Sequence, residues 1–271
     1  MPPPASPSTR SSPRLSSYRV DAIFIARAIL SSEAADEFAR YEIPIISFNT
    51  LMKNRWVSSV CCDHRAGAQS IAELFVERGA TRCAYISSSV AALGNTERME
   101  GFTQRLRELG LADPIVVETE FRYEGGHAAA LRLFESGARP DAIFCFNDLV
   151  AIGAIDAIRK TVGLRVPEDV QVAGYDDIPA AAWAAYDLTT LAQDSPSMVE
   201  ASLAIFRSAT TSASPLGGVR TTVPVRLVER GTTRPRAAPG LIPAWRRRAR
   251  GAPPAGPRPR GRRGRRRAAR R

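Results

Sequence analysis

Residues that build reactive centres are scarce in this chain. Two histidines and four cysteines are spread over 271 positions, and Cys61, Cys62, Cys83 and Cys145 form no C-x-x-C pair. That spacing offers no metal-ligand set with His64 or His127, and the thiols read as small apolar core residues in a reducing compartment. No G-x-S-x-G elbow or P-loop occurs, and Gly125-Gly126 lacks the G-x-x-G continuation of a dinucleotide fingerprint. Neither a catalytic residue nor a cofactor or metal is therefore expected. No apolar run approaches the ~20 residues of a membrane span. The opening MPPPASPSTRSSPR is polar and rich in Pro and Ser, unlike a secretory signal. A soluble cytoplasmic protein with no membrane partner is the expectation.

Acidic residues are absent from Arg234 to Arg271, a stretch that holds 15 of the 38 basic residues. The net charge of +11 thus misrepresents the rest, where 23 basic residues face 27 acidic ones for a net of −4. A composition of Pro, Gly, Ala and Arg with few apolar anchors predicts a disordered tail over 234–271, as the Pro/Ser composition predicts a disordered lead over 1–17. An Arg-rich tail binds nucleic acid through phosphate contacts, but this one lacks the interleaved aromatics of single-strand binders.

Between the two termini, strand and helix signals alternate. Val20–Ala26 is a continuous apolar run suited to a strand buried on both faces. Ser31 or Ser32 caps a helix through Tyr41, with Ala35, Phe38 and Ala39 on one side. Strands follow over 44–48 and 57–62. Asp63 then caps a helix whose Ala68, Ile71, Leu74 and Phe75 recur at helical spacing, stopped by Gly79. The remaining strands are expected over 83–87, 115–118, 142–146, 170–174 and 188–192, with a last extended segment over 219–229. Helices are expected over 96–109, 125–136, 149–161 and 197–208. Strict alternation implies an α/β fold with mostly parallel sheets flanked by helices.

Polar groups stand where several of these apolar runs stop. In a parallel α/β sheet the carboxyl ends of the strands line the ligand crevice, so Asn147, Asp176 and Gln193 are placed to meet a small molecule. Asn147 offers donor and acceptor, with a turn or helix cap as its plainer role; Asp148 reads as the cap of the next helix. Asp176 and Asp177 are adjacent on an extended run, so they point to opposite faces and cannot flank one scissile bond. Arg98, in the first turn of a helix, carries a five-donor fork suited to paired hydroxyls or a carboxylate, unless it is a solvated surface arginine. Phe121 is either a stacking ring or an ordinary core residue. The pattern describes binding without chemistry.

The segments VSSVCCDHRAGAQSIAELFVERGATRCAYI, ERMEGF, DAIFCFNDLVAIGAIDAIRKTVGLRVPEDVQVAGYDDIP and LTTLAQ, in that order, resemble the LacI/GalR family of bacterial transcriptional regulators. The resemblance covers Tyr18 to Thr233 and falls on the family's effector-sensing domain, similar to periplasmic sugar-binding proteins. It implies two α/β subdomains around a small ligand, with 18–87 and about 194–210 in the first, and about 88–193 and 211–233 in the second. It implies effector contacts at Arg98, Phe121, Asn147, Asp176 and Gln193, with hydrogen bonds from the polar groups and stacking from Phe121. The effector would be a sugar or related polyol, or a nucleobase. The segment Leu149–Val166 resembles the pairing surface of two protomers, which places Leu149, Ile152, Ile155 and Ile158 at a dimer interface. His64 stands where the family usually has Asn, and Ser87-Ser88-Ser89 where it often has Gly.

The family's helix-turn-helix domain and the first strand, first helix and second strand of its sensor have no counterpart before Tyr18. The resemblance therefore implies an N-terminally truncated sensor. DNA would be reached only through the domain not found here, in a homodimer or in a heterodimer with an intact regulator. Two other readings compete: a free-standing cytoplasmic sugar-binding module, and a nucleic-acid-binding protein acting through its Arg-rich tail.

Overall fold

The computed structural model of this chain describes residues 20–26, 32–50, 56–88, 93–211 and 218–236. The lead over 1–17, the tail beyond 236, and Ser31 and Ser89 lie outside the described residues.

Three parallel strands, β1 (Ile23–Ala26), β2 (Ile45–Phe48) and β3 (Val57–Cys62), open the chain, with α1 (Ser32–Arg40) between the first two. α1 lays Ala35 and Phe38 on Ile25, Ile45 and Val57, as its apolar spacing requires. β3 is buried along its whole length, consistent with a strand covered on both faces. β1 departs from that expectation. It is the edge of the sheet, and Phe24 stays 45% exposed although its ring meets Phe48 and Phe206, because no strand among the described residues flanks β1 on its outer side.

From Asp63 the chain enters a second sheet. α2 (His64–Glu77) is capped by the Asp63 carboxylate, which accepts from the Ala66 amide at 2.9 Å. β4 (Cys83–Ser88), α3 (Leu93–Glu108), β5 (Ile115–Thr119), α4 (Tyr123–Glu135), β6 (Ala142–Cys145), α5 (Asp148–Asp156) and β7 (Gln171–Ala173) follow. Their strands lie in the order β5-β4-β6-β7, all parallel. α2 packs here: its Ala68, Ile71 and Phe75 share a core with Phe102, Leu106, Tyr85 and Phe144. Each large side chain fully buried in that core contributes about 1.5–3 kcal/mol. α4 and α5 touch backbone to backbone. A Cβ on Gly126 would meet the Val150 carbonyl, and one on Gly153 the Tyr123 carbonyl. Only glycine permits that approach.

β8 (Thr190–Gln193) leads into α6 (Ser195–Thr211), β9 (Arg220–Val223) and β10 (Val225–Val228). The extended segment expected over 219–229 is thus two strands, divided at Pro224, and they join different sheets. β9 pairs parallel with β3, while β10 pairs antiparallel with β8. α6 lays Met198 and Ile205 on Ile46, Val60 and Val223.

Among the described residues the chain therefore passes between the two lobes three times, after Cys62, after Gln193 and after Val223. The crossings run side by side. Cys62 is in register with Val223, Gln193 with Val225, and the Asp63 amide donates to the Val223 carbonyl at 2.8 Å. This topology differs from the subdomain boundaries expected above. Residues 64–88 belong with the second sheet and Arg220–Val223 with the first, because the helix after Asp63 buries its apolar face on the second core.

Candidate functional site

The five residues singled out in the sequence all stand at the carboxyl side of the second lobe's strands. Arg98 is in α3 after β4, Phe121 follows β5, Asn147 follows β6, Asp176 follows β7, and Gln193 ends β8. Arg98, Phe121, Asp176 and Gln193 fall into two contact groups held together by residues not singled out, while the Asn147 side chain turns to the Val150 amide.

The first group is centred on Arg98. Its guanidinium carbon lies 3.6 Å from the centroid of the Tyr175 ring, a cation–π geometry. One terminal nitrogen donates to the Phe146 carbonyl, and Nε donates to His64 Nδ1 at 3.4 Å. The Tyr175 hydroxyl also bonds His64 Nδ1, at 2.8 Å. With Nδ1 the acceptor, the imidazole is neutral and carries its proton on Nε2. Burial first, and then the charges of Arg98 and Arg220, lower the His64 pKa to about 3. Phe121 is half exposed and meets Phe146 edge to face at 5.4 Å. It is not a core phenylalanine; it stands half exposed at the strand ends. Beneath α3, Asn95 accepts from the Tyr85 hydroxyl at 2.9 Å and donates to Ser87 at 3.0 Å, seating the helix's first turn on β4.

The second group spans the lobes. Gln193 donates through Nε2 to Asp176 at 2.6 Å. Its Oε1 accepts from Asn49 Nδ2 at 2.9 Å and from the Cys62 thiol at 3.2 Å. Asn49 follows β2, and its own oxygen accepts from the Cys62 amide at 2.9 Å. A continuous polar chain thus runs from the second lobe through the crossing to the first. Burial, its largest cause, raises the Cys62 pKa to about 11, so the thiol stays protonated. A further contact between the lobes is the ion pair of Arg220 on β9 with Glu97 on α3, at 2.8 Å.

Asp176 and Asp177 do not lie on a strand as expected. Both have positive φ, 116° and 55°, and the turn sends Asp176 to Gln193 and Asp177 to Arg230, at 2.7 Å. The consequence drawn from the sequence, that the two acids do not share a target, holds by a different geometry. Asn147, not Asp148, caps α5: its side-chain oxygen accepts from the Val150 amide at 2.8 Å. Asp148 is instead fully buried, accepting from Thr190 Oγ1 at 2.5 Å and the Ile178 amide at 2.9 Å. Burial, the dominant cause, raises its pKa to about 7.

The expected dimer residues divide. Ile155 and Ile158 are wholly buried and Ile152 is 5% exposed, all within the second lobe's own core. Only Leu149, 37% exposed, offers apolar area to a partner. α5 and the π-helical turn Ala157–Val162 that continues it bury the other three because their apolar residues pack into the second core. All four cysteines are free and buried. Among the described residues no group of three His, Cys, Asp or Glu is placed to hold a metal ion, and no helix is long and apolar enough to cross a membrane.

His64, Tyr175, Asn49 and Phe146 were not expected at the site. Asn49 follows the same strand-end rule that picked out Asn147. Tyr175 sits beside Asp176, and His64 beside the capping Asp63.

A family model described as a periplasmic binding protein-like domain matches residues 72–233. The chain is 33% identical over 184 residues to the HTH-type transcriptional regulator DegA of Bacillus subtilis (strain 168), covering 66% of this chain and 54% of that protein. It is similar in structure to a LacI transcriptional regulator from a Rhodococcus species, with a TM-score of 0.73 and 26% identity over 83% of this chain and 82% of the other. It is also similar to a sugar-binding regulator of the LacI family from Escherichia coli, complexed with phosphate. There the TM-score is 0.69 and the identity 28%, over 81% of this chain and 79% of the other. The chain spans about half the length of the curated relatives it matches.

Proposed function

Because the chain belongs to the periplasmic binding protein-like domain family, in the form carried by LacI-type regulators, we propose that it is an effector sensor whose two lobes close on a small hydroxylated molecule, a sugar or related polyol. The observation that carries the reading is the chain Asp176–Gln193–Asn49, which joins the lobes at the crossing. A ligand that takes up Asp176 or Gln193 changes what holds the lobes in register. A ligand with different affinity for two closure states shifts their populations, which is how such a sensor signals.

The geometry supports the following roles. The Asp176 carboxylate accepts from ligand hydroxyls, and Arg98 supplies its unused guanidinium donors. The exposed face of Phe121 stacks on an apolar ring face, as sugars present. Asn147 contributes its amide NH2, since its oxygen caps α5. The similar Escherichia coli protein is described as sugar-binding, which favours a sugar over a nucleobase. In a dimer paired across the face that bears Leu149, closure would reach DNA through a helix-turn-helix head of the kind named for the relatives.

Isothermal titration of the purified chain with a panel of pentoses, hexoses, disaccharides, polyols and purine bases tests the proposal. Saturable one-to-one binding of a panel member, lost in Asp176→Ala, is the expected result. Binding of none, by a chain that melts cooperatively, would refute the sensor reading.

A further inference from the structure

Two nitrogen donors converge on the N-terminal turn of α3 without a partner among the described residues that accounts for them. His64 is 1% exposed, and its Nε2, which bears the proton, has no hydrogen-bond partner among the described residues. A buried N–H left unpaired costs about 1–3 kcal/mol, so its retention calls for a reason. Nε2 is aimed at Gly94, in the first turn of the 16-residue α3. A Cβ built on Gly94 would come within 2.8 Å of His64 Nε2 and 3.2 Å of an Arg98 terminal nitrogen. The glycine keeps a side chain out of the place toward which both donors point.

The charge around this place is unbalanced. Arg98 is partly buried, yet it forms no ion pair among the described residues; its partners are a carbonyl, a neutral imidazole nitrogen and an aromatic face. The neighbouring acids are engaged elsewhere, Glu97 with Arg220, Asp176 with Gln193, and Asp63 as the cap of α2. No acidic residue stands in the first turn of α3, so the positive end of the helix dipole is unopposed there. A helix N-terminus with an adjacent guanidinium is suited to an anion.

We infer that the effector carries an acid group, a carboxylate or a phosphate, bound at the Gly94 turn of α3 by Arg98 and the His64 Nε2–H. This rests on the sensor reading and narrows it from hydroxylated molecules at large to sugar acids or sugar phosphates. Nε2 is sealed from solvent in the structure described, so the acid group reaches it by drawing Arg98 off the Phe146 carbonyl. A methyl at Gly94 blocks that approach.

Titration calorimetry on the full chain decides the matter with matched compounds: D-ribose against ribose 5-phosphate, and D-glucose against gluconate and glucose 6-phosphate. At least about ten-fold tighter binding of an acid-bearing member than of its neutral parent is expected, as for a charge-assisted contact. Whether gluconate or a phosphate wins identifies the acid. In Gly94→Ala the acid-to-neutral preference should fall to about one. Should that variant fail to fold, the wild type serves alone, since the chain has only two histidines and the His64 Nε2–H resonance is easily assigned. On saturation with the preferred acid it should move downfield and gain protection from exchange. Equal or tighter binding of the neutral parents, or a His64 resonance unmoved at saturation, would overturn the inference while leaving the sensor reading in place. Binding of neither class would overturn both.

Discussion

Gln193 holds Asp176 at 2.6 Å with one end of its amide and Asn49 at 2.9 Å with the other, so one side chain at a lobe crossing ties both lobes together. Replacing Gln193 by Ala removes a bond to a charged acceptor, worth about 1.5–3 kcal/mol. Effector affinity is expected to fall by about 10–100-fold, with a smaller loss in the melting temperature. Calorimetry and a thermal melt on the same preparation check the two effects. Unchanged affinity would show that the crossing does not couple to the ligand.

Asp148 gives stability a pH dependence with a defined sign. Its folded pKa, about 7, lies above the unfolded value of about 3.9, so the folded state binds more protons between those limits. The contribution is fully present below about pH 4 and is lost as pH rises through about 7. His64 acts oppositely: with its pKa lowered to about 3, its contribution is present above about 6.5 and lost as pH falls toward 3. Melting temperatures at pH 5, 6, 7 and 8 for the wild type and Asp148→Asn isolate the first group. The wild-type minus variant difference should decline with pH across that range; a flat difference would count against the raised pKa.

Gly153 and Gly126 allow α4 and α5 to touch at the backbone. A Cβ on either would sit far inside contact distance of a carbonyl that cannot swing away. Gly153→Ala is expected to destabilise the chain by about 1–3 kcal/mol or more, the range for overpacking. Urea denaturation with an unchanged m-value is the measurement. Neutral behaviour would mean that the helices slide apart at little cost.

Leu149 and Ile155, six residues apart on α5, should separate self-association from folding. Leu149→Asp is expected to shift a dimer toward monomer in sedimentation while leaving the denaturation midpoint nearly unchanged. Ile155→Ala creates a cavity in the second lobe's core and should cost about 2–5 kcal/mol. A monomer–dimer balance indifferent to Leu149→Asp would place the pairing surface elsewhere.

Much of the architecture was legible in sequence because it follows from local rules. The apolar run at Ala142–Cys145 and the spacing of Ala68, Ile71 and Phe75 each need only a few neighbours to be read. The Asp63 cap is equally local, set by a side chain three residues from the amide it accepts. The strand-end rule likewise found one contact pair of the site, Asp176 with Gln193. The sequence offered a cap role to both Asn147 and Asp148 and did not reveal that Asn147 takes it while Asp148 turns inward, since both residue types serve both roles. Nor did it reveal His64, whose place beside Arg98 and Tyr175 depends on residues 34 and 111 positions away.

By itself the sequence determined the order of elements and the polar groups at the strand ends, because periodicity, caps and residue chemistry act over a few residues. Only the tertiary structure decided that α2 packs in the second lobe, that Pro224 divides two strands between two sheets, and that Ile152, Ile155 and Ile158 lie inside their own chain. It also decided the partners of His64, Asn49 and Asp148. Strand pairing and helix docking are chosen by which distant apolar faces cover one another. A buried polar group then takes whatever partner that docking brings within reach.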